Sequence, residues 1–164
     1  MPEQLPRDPD LTAEAESLAK LAAEAAPEAE RERRLSPEVI DAVLAAGFAR
    51  HFVPVAHGGA AGGFLEVTRA VATVAEGCAS AAWCASLTAS LGRMAAYLPA
   101  SGQAEVWRQG PDTLIVGGLM PAGRARRTPG GWRLSGSWPY VSLVDASSWA
   151  LLCALTEDED ATPH

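Results

Sequence analysis

Residues 130–154 read GGWRLSGSWPYVSLVDASSWALLCA. Trp132, Leu134 and Trp138 suggest period-two alternation, and residues 149–155 form a nearly continuous apolar run. The stretch therefore reads as two strands separated by a polar turn. Three of the chain's five tryptophans fall in it. At its centre Trp138, Pro139, Tyr140, Val141 and Ser142 crowd an indole, a rigid ring and a hydroxyl together where a strand ends. Proline cannot donate to a sheet ladder, which puts this segment at an edge or a break, where side chains can face a ligand. Tryptophans at strand spacing also read as core, each worth about 1.5–3 kcal/mol by burial, and both readings of Trp138 stand open at this point.

Upstream of the stretch the period changes. Leu114 to Leu119 reads as a buried strand, Arg124 to Thr128 as a polar one, Pro129-Gly130-Gly131 as a turn and residues 132–138 as the return strand. Everything before Asp112 has helical spacing. Leu11, Ala15, Leu18, Ala22 and Ala25 share one face at 3.6 spacing, with Glu14, Glu16, Lys20 and Glu24 turned away, and Pro27 interrupts or restarts that helix. Ser36-Pro37-Glu38 supplies an N-cap and a proline at the first helical position, Gly47 supplies the stop, and Val39, Ile40, Val43 and Leu44 form the apolar stripe. Two alanine-rich helices follow over residues 64–76 and 80–98, parted by Gly77 and capped by Ser80. A short helix from Pro99 through Trp107 ends at Gly110-Pro111. The order predicts an α+β chain, with a loose tail over residues 1–10, a helical domain over 11–111 and the opening strands of a sheet over 112–164.

At 164 residues the chain is one domain's worth, and its net charge of −7 argues against nucleic acid or an anionic membrane, which both need a basic face. Cys78, Cys84 and Cys153 cannot all pair and show no Cys-x-x-Cys spacing, so they read as buried thiols of a reducing, cytoplasmic compartment. His51, His57 and His164 have no ligand-like spacing with cysteine or carboxylate, so no metal is expected. No serine sits in a nucleophile elbow.

Four motifs in the same order carry a resemblance. They are Val53-Pro54-Val55-Ala56-His57-Gly58-Gly59, Gly77-Cys78-Ala79-Ser80-Ala81-Ala82-Trp83, Leu98-Pro99 with Gln103-Ala104-Glu105-Val106-Trp107, and Pro121-Ala122-Gly123-Arg124-Ala125 followed by residues 130–142. Together they resemble the two-component flavin-dependent aromatic hydroxylases, a branch of the acyl-CoA dehydrogenase superfamily. The resemblance implies a helical N-terminal domain followed by the first strands of a β-barrel domain, with the chain stopping before the C-terminal helical bundle of that family. It implies reduced FMN or FAD as cofactor, a separate flavin reductase, an aromatic or polyketide-like small-molecule substrate, and an oligomer or a complementing C-terminal half as partner. By the same resemblance Ser142 is the catalytic hydroxyl near flavin N5, Trp83 and Trp138 wall the isoalloxazine, and the backbone from Gly118 through Leu119 to Gly123 meets its polar edge. A core indole between helices is the alternative for Trp83.

Two departures from the family pattern are visible. The histidine that many such hydroxylases place about two turns after the helix tryptophan is replaced by Ser90 and Leu91. The glycine that usually follows the pocket serine is Leu143, and the turn there is expected to differ because leucine resists the angle glycine permits. Acyl-CoA dehydrogenation is the other enzymatic reading, against which the Lys-x-x-Ile-Ser/Thr-Asn phrase of those enzymes is absent. A non-catalytic truncated or split half that binds a partner is the reading from a different class.

Overall fold

The computed structural model describes residues 10–156. Of the tail expected over residues 1–10, residues 1–9 lie outside the described residues, as does the acidic stretch 157–164, while Asp10 belongs to the start of the first helix. Helix α1, Leu11–Glu32, begins where the Asp10 side chain accepts the Thr12 amide. Its buried residues are Leu11, Ala15, Leu18 and Ala22, the face the spacing predicts. Pro27 neither interrupts nor restarts it. The carbonyl that the missing N–H frees belongs to Ala23, and both residues are exposed. Water can therefore satisfy that carbonyl, and the helix runs on past its proline.

Helix α2, Pro37–Ala45, is capped by the Ser36 hydroxyl, which accepts the Val39 amide, and it buries Val39 and Val43 while Ile40 and Leu44 are half-buried. Helices α3, Phe64–Gly77, and α4, Ala79–Ala95, pack through small side chains, and α5, Ala100–Val106, completes the helical part. Ser80 does not cap α4. Cys78 holds the extended cap geometry and Ser80 lies exposed in the first turn, because Gly77 still belongs to α3 and leaves a single residue to turn the chain. The Gly-rich loop after His57 spends its amides on its own chain. Ala60, Ala61 and Gly62 donate to the carbonyls of Arg50, Val53 and His51 at 3.0, 3.1 and 2.7 Å, which leaves them nothing to offer a phosphate.

Three strands follow, β1 at Ile115–Thr128, β2 at Gly131–Gly136 and β3 at Trp149–Thr156, in the order β2-β1-β3. The two strands expected over residues 114–128 are one. β1 pairs antiparallel with β2 through a tight turn and parallel with β3, and in the parallel ladder Gly118 faces Leu152 while Gly123 faces Ala154. Residues 119–122 stand opposite Cys153 alone, so the chain bulges there without ending the strand. The return strand stops at Gly136, short of Trp138. A second core of Val53, Leu91, Ala95, Val106, Trp107 and Ile115, with Leu151 against it, joins sheet to helices. Arg50 reinforces the joint, its Nε donating to Asp112 Oδ1 at 2.7 Å and its second nitrogen to Oδ2. Among the described residues no helix is long and apolar enough to cross a membrane.

Candidate functional site

Ser142 lies on the irregular segment between β2 and β3, and the backbone around it is forced. Tyr140 has φ 60° and Leu143 φ 64°, both in the left-handed region that glycine prefers. Leucine thus keeps the angle that the sequence reading expected it to resist, and the turn after Ser142 does not relax to suit it. Strain of this kind, about 1–2 kcal/mol per residue, persists where surrounding structure over-determines a loop, and such loops cluster at functional sites.

The helical motif and the strand motif meet here. Trp83, in the second turn of α4, donates its Nε1 proton to Ser142 Oγ at 3.3 Å across 59 residues of sequence. Its ring is not core, being 61% exposed. The bond fills one lone pair of the hydroxyl and leaves its proton for a third group. Leu119, on the β1 bulge, and Ser142 share a recess with Leu87, Thr88, Leu91 and Leu143. Residues 83, 87 and 91 recur every fourth position on α4, a helical stripe that periodicity could have flagged from Trp83 onward. The sequence reading singled out Trp83 alone.

Trp138, Gly118 and Gly123 form a second, adjoining unit. A Cβ on Gly118 would lie 2.8 Å from Trp138 Cδ1 and one on Gly123 2.3 Å from Trp138 Cζ2, so both glycines are the bed of the indole. Trp138 Nε1 donates to the Cys153 carbonyl at 2.8 Å, fastening the segment after β2 to β3 across β1. The ring is half-buried, between the core and wall readings. The β1 backbone that leaves the ladders belongs to residues 119–122, between the two glycines.

Around Ser142 the surface is apolar and open. Leu119 is half-exposed, Tyr140 two residues from Ser142 is almost fully exposed, and Trp83 adds its indole. A flat apolar ring with one hydrogen-bonding edge matches this surface: aromatic and aliphatic walls, a hydroxyl with a free proton, and a bulged strand whose backbone leaves the ladder. Among the described residues no imidazole joins it. Buried His51 bonds through Nε2 to the Gly63 carbonyl at 2.9 Å, and His57 stacks against Trp107. Ser90 is exposed on α4 and Leu91 is buried. Among the described residues no group of three or more His, Cys, Asp or Glu side chains could hold a metal ion.

A helical domain hands over to a small three-stranded sheet, and an indole and a serine meet at the junction. This chain belongs to the acyl-CoA dehydrogenase family, its residues 11–108 matching the acyl-CoA dehydrogenase N-terminal domain. It is 33% identical over 138 residues to the oxygenase component of an FADH(2)-dependent resorcinol hydroxylase from Rhizobium sp. (strain MTP-10005), covering 84% of this chain and 34% of that protein. It is 35% identical over 115 residues to an indole-3-acetate monooxygenase from Pseudomonas putida, covering 70% and 29%. Among solved structures, XiaF from Streptomyces sp. in complex with FADH2 and glycerol superposes with a TM-score of 0.85 at 28% identity, over 94% of this chain and 39% of that one. The 3-HSA hydroxylase from Rhodococcus sp. RHA1 gives 0.87 at 25%, over 94% and 40%. The chain spans about a third of the length of the curated relatives it matches.

Proposed function

We propose that the chain forms the helical and first-sheet part of the oxygenase component of a two-component flavin-dependent monooxygenase acting on an aromatic or polyketide-like substrate. The observation that carries this is the Trp83–Ser142 hydrogen bond, which joins two motifs far apart in sequence at one open apolar surface. In this reading residues 11–111 are the helical domain, residues 112–164 are part of a barrel domain, and a separate reductase delivers the reduced flavin, FMN or FAD. When bound, the flavin supplies the electrons that activate dioxygen. Ser142 offers its free proton at the ring's hydrogen-bonding edge, and Trp83 holds the hydroxyl in that orientation. Trp138 braces the segment from the far side of β1 on its bed of Gly118 and Gly123, and the backbone of Leu119 and the bulge that follows it supplies the polar rim. Leu119 and Trp83 present apolar surface to the reacting face.

Anaerobic titration with reduced FMN and with reduced FAD, followed by tryptophan fluorescence, tests the reading. Saturable quenching is expected. Ser142→Ala removes one neutral hydrogen bond, worth about 0.5–1.5 kcal/mol, and should weaken binding roughly 2- to 13-fold on that basis while leaving the folding transition in place. Quenching that never saturates, or that Ser142→Ala leaves unchanged, overturns the assignment of Ser142.

A further inference from the structure

The sheet part of the chain carries its charge unevenly. Between residues 113 and 156 stand four arginines and a single carboxylate, Asp145, and the next four residues are Glu157, Asp158, Glu159 and Asp160. The ladder sorts the arginines by face. Arg126 of β1 stands directly opposite Arg133 of β2, and Arg124 lies two positions along β1 from Arg126. Side chains that stand opposite each other, or two apart on one strand, share a face, so these three guanidinium groups crowd one side of the hairpin. Arg127 falls on the other side, over the ring of its own register partner Trp132 at 4.7 Å. Like charges placed directly opposite repel. Among the described residues Arg124, Arg126 and Arg133 have no ion pair or side-chain hydrogen bond to offset that repulsion, and all three are exposed. A shallow recess lined by Gly123, Arg124, Ser135, Gly136 and Leu155 adjoins them.

The acidic residues begin beside this face. In the parallel ladder Leu155 pairs with Arg124 and Thr156 with Ala125, so residue 157 is joined to the chain one register step from Arg126. Arg133 lies two strands over, about 10 Å away at the usual strand spacing, and four extended residues span about 13–14 Å. The four carboxylates are therefore tethered within reach of all three guanidinium groups. We propose that the face of the β1–β2 hairpin carrying Arg124, Arg126 and Arg133 is the docking surface for the chain's own acidic segment, residues 157–160. Charge favours this occupant over a foreign anion. The chain as a whole carries −7, which repels an anion approaching from solution, whereas a tethered segment is present at an effective concentration in the millimolar range. Nothing in this pairing depends on a flavin.

The Nε–Hε signals of the arginines, followed by NMR in the full-length chain at low salt, are the readout. Replacing the four acids together, by Glu157→Gln, Asp158→Asn, Glu159→Gln and Asp160→Asn, should shift Arg124, Arg126 and Arg133. Exposed Arg69 and Arg108 on the helical part should stay in place. Salt at about 1 M, which shortens screening to about 3 Å, should move the same three signals of the parent, an arm that needs no variant. Inorganic phosphate should then titrate the three arginines several-fold more tightly in the neutralised chain than in the parent, because the face has been vacated. Signals that ignore the four substitutions, shifts shared equally by Arg69 and Arg108, or equal phosphate affinity in the two chains would each overturn the docking. Shifts that appear only as protein concentration rises would assign the acids to a second copy and overturn the intrachain occupant.

Discussion

Tyr140 and Leu143 share a strained backbone region but differ in what their side chains contribute. Tyr140 is 99% exposed, so its ring repays none of the strain. Tyr140→Gly should relieve about 1–2 kcal/mol of left-handed strain against about 0.4–1 kcal/mol of added unfolded-state entropy. Denaturant unfolding should show the variant more stable by up to about 1.6 kcal/mol. A loss of stability would mean that the ring packs against something. Leu143 is half-buried and lines the recess beside Ser142, so the same relief at that position is offset by lost burial. That a leucine holds a glycine's angle beside Ser142 shows how tightly the flanking structure dictates this turn.

Elements whose determinants are local were legible before the structure. Ser36 and the apolar stripe of α1 specify their helices through contacts three or four residues away, whereas Asp10, read as tail, turns out to cap α1. The sheet was legible only in pieces, because β1 continues through residues 119–122 on the strength of β3, which pairs with it from more than thirty residues downstream. The meeting of Trp83 with Ser142 is likewise non-local, and only the family resemblance placed both at one site. Gly123 binds these elements together, and Gly123→Ala would drive a methyl into the Trp138 ring. Overpacking of this kind costs about 1–3 kcal/mol, and the variant's tryptophan emission should shift red as the indole lifts off β1. An unchanged spectrum would show that the strand can yield. On α4, burial first and then neighbouring Cys78 push the Cys84 thiol from 9.0 up to about 11. The folded state therefore holds that proton more tightly than the unfolded chain. The resulting stability is complete below about pH 9 and is lost as pH rises through about 11, a fall of about 2–3 kcal/mol for two pKa units. Cys84→Ala should flatten that part of the stability profile, and a profile that falls equally in the variant would place the loss elsewhere.

At the scale of the whole molecule the two ends of the fold are unlike. The helical part encloses a continuous core, whereas the sheet buries little beyond its first residues, and all of β2 is exposed. Among the described residues β3 pairs on one side only, with β1, and it carries the apolar run Trp149 to Leu155. Trp149 and Leu155 on β3 and Trp132 and Leu134 on β2 are between about a third and a little over half exposed. An edge of unpaired backbone groups bordered by large apolar side chains is a template for another strand. Pairing with a second copy satisfies its amides and removes that surface from water at once. Sedimentation velocity at micromolar concentration should therefore show self-association of the 164-residue chain. Trp149→Lys and Leu155→Lys place charge on the same edge, where it opposes a second strand, so the pair should restore a single slow-sedimenting species. If the parent sediments as a clean monomer, the β3 edge does not template a second strand. If the lysine variants associate as strongly as the parent, the contact lies on the helical part instead, and exposed Phe64, Leu65 and Tyr97 become the surface to test.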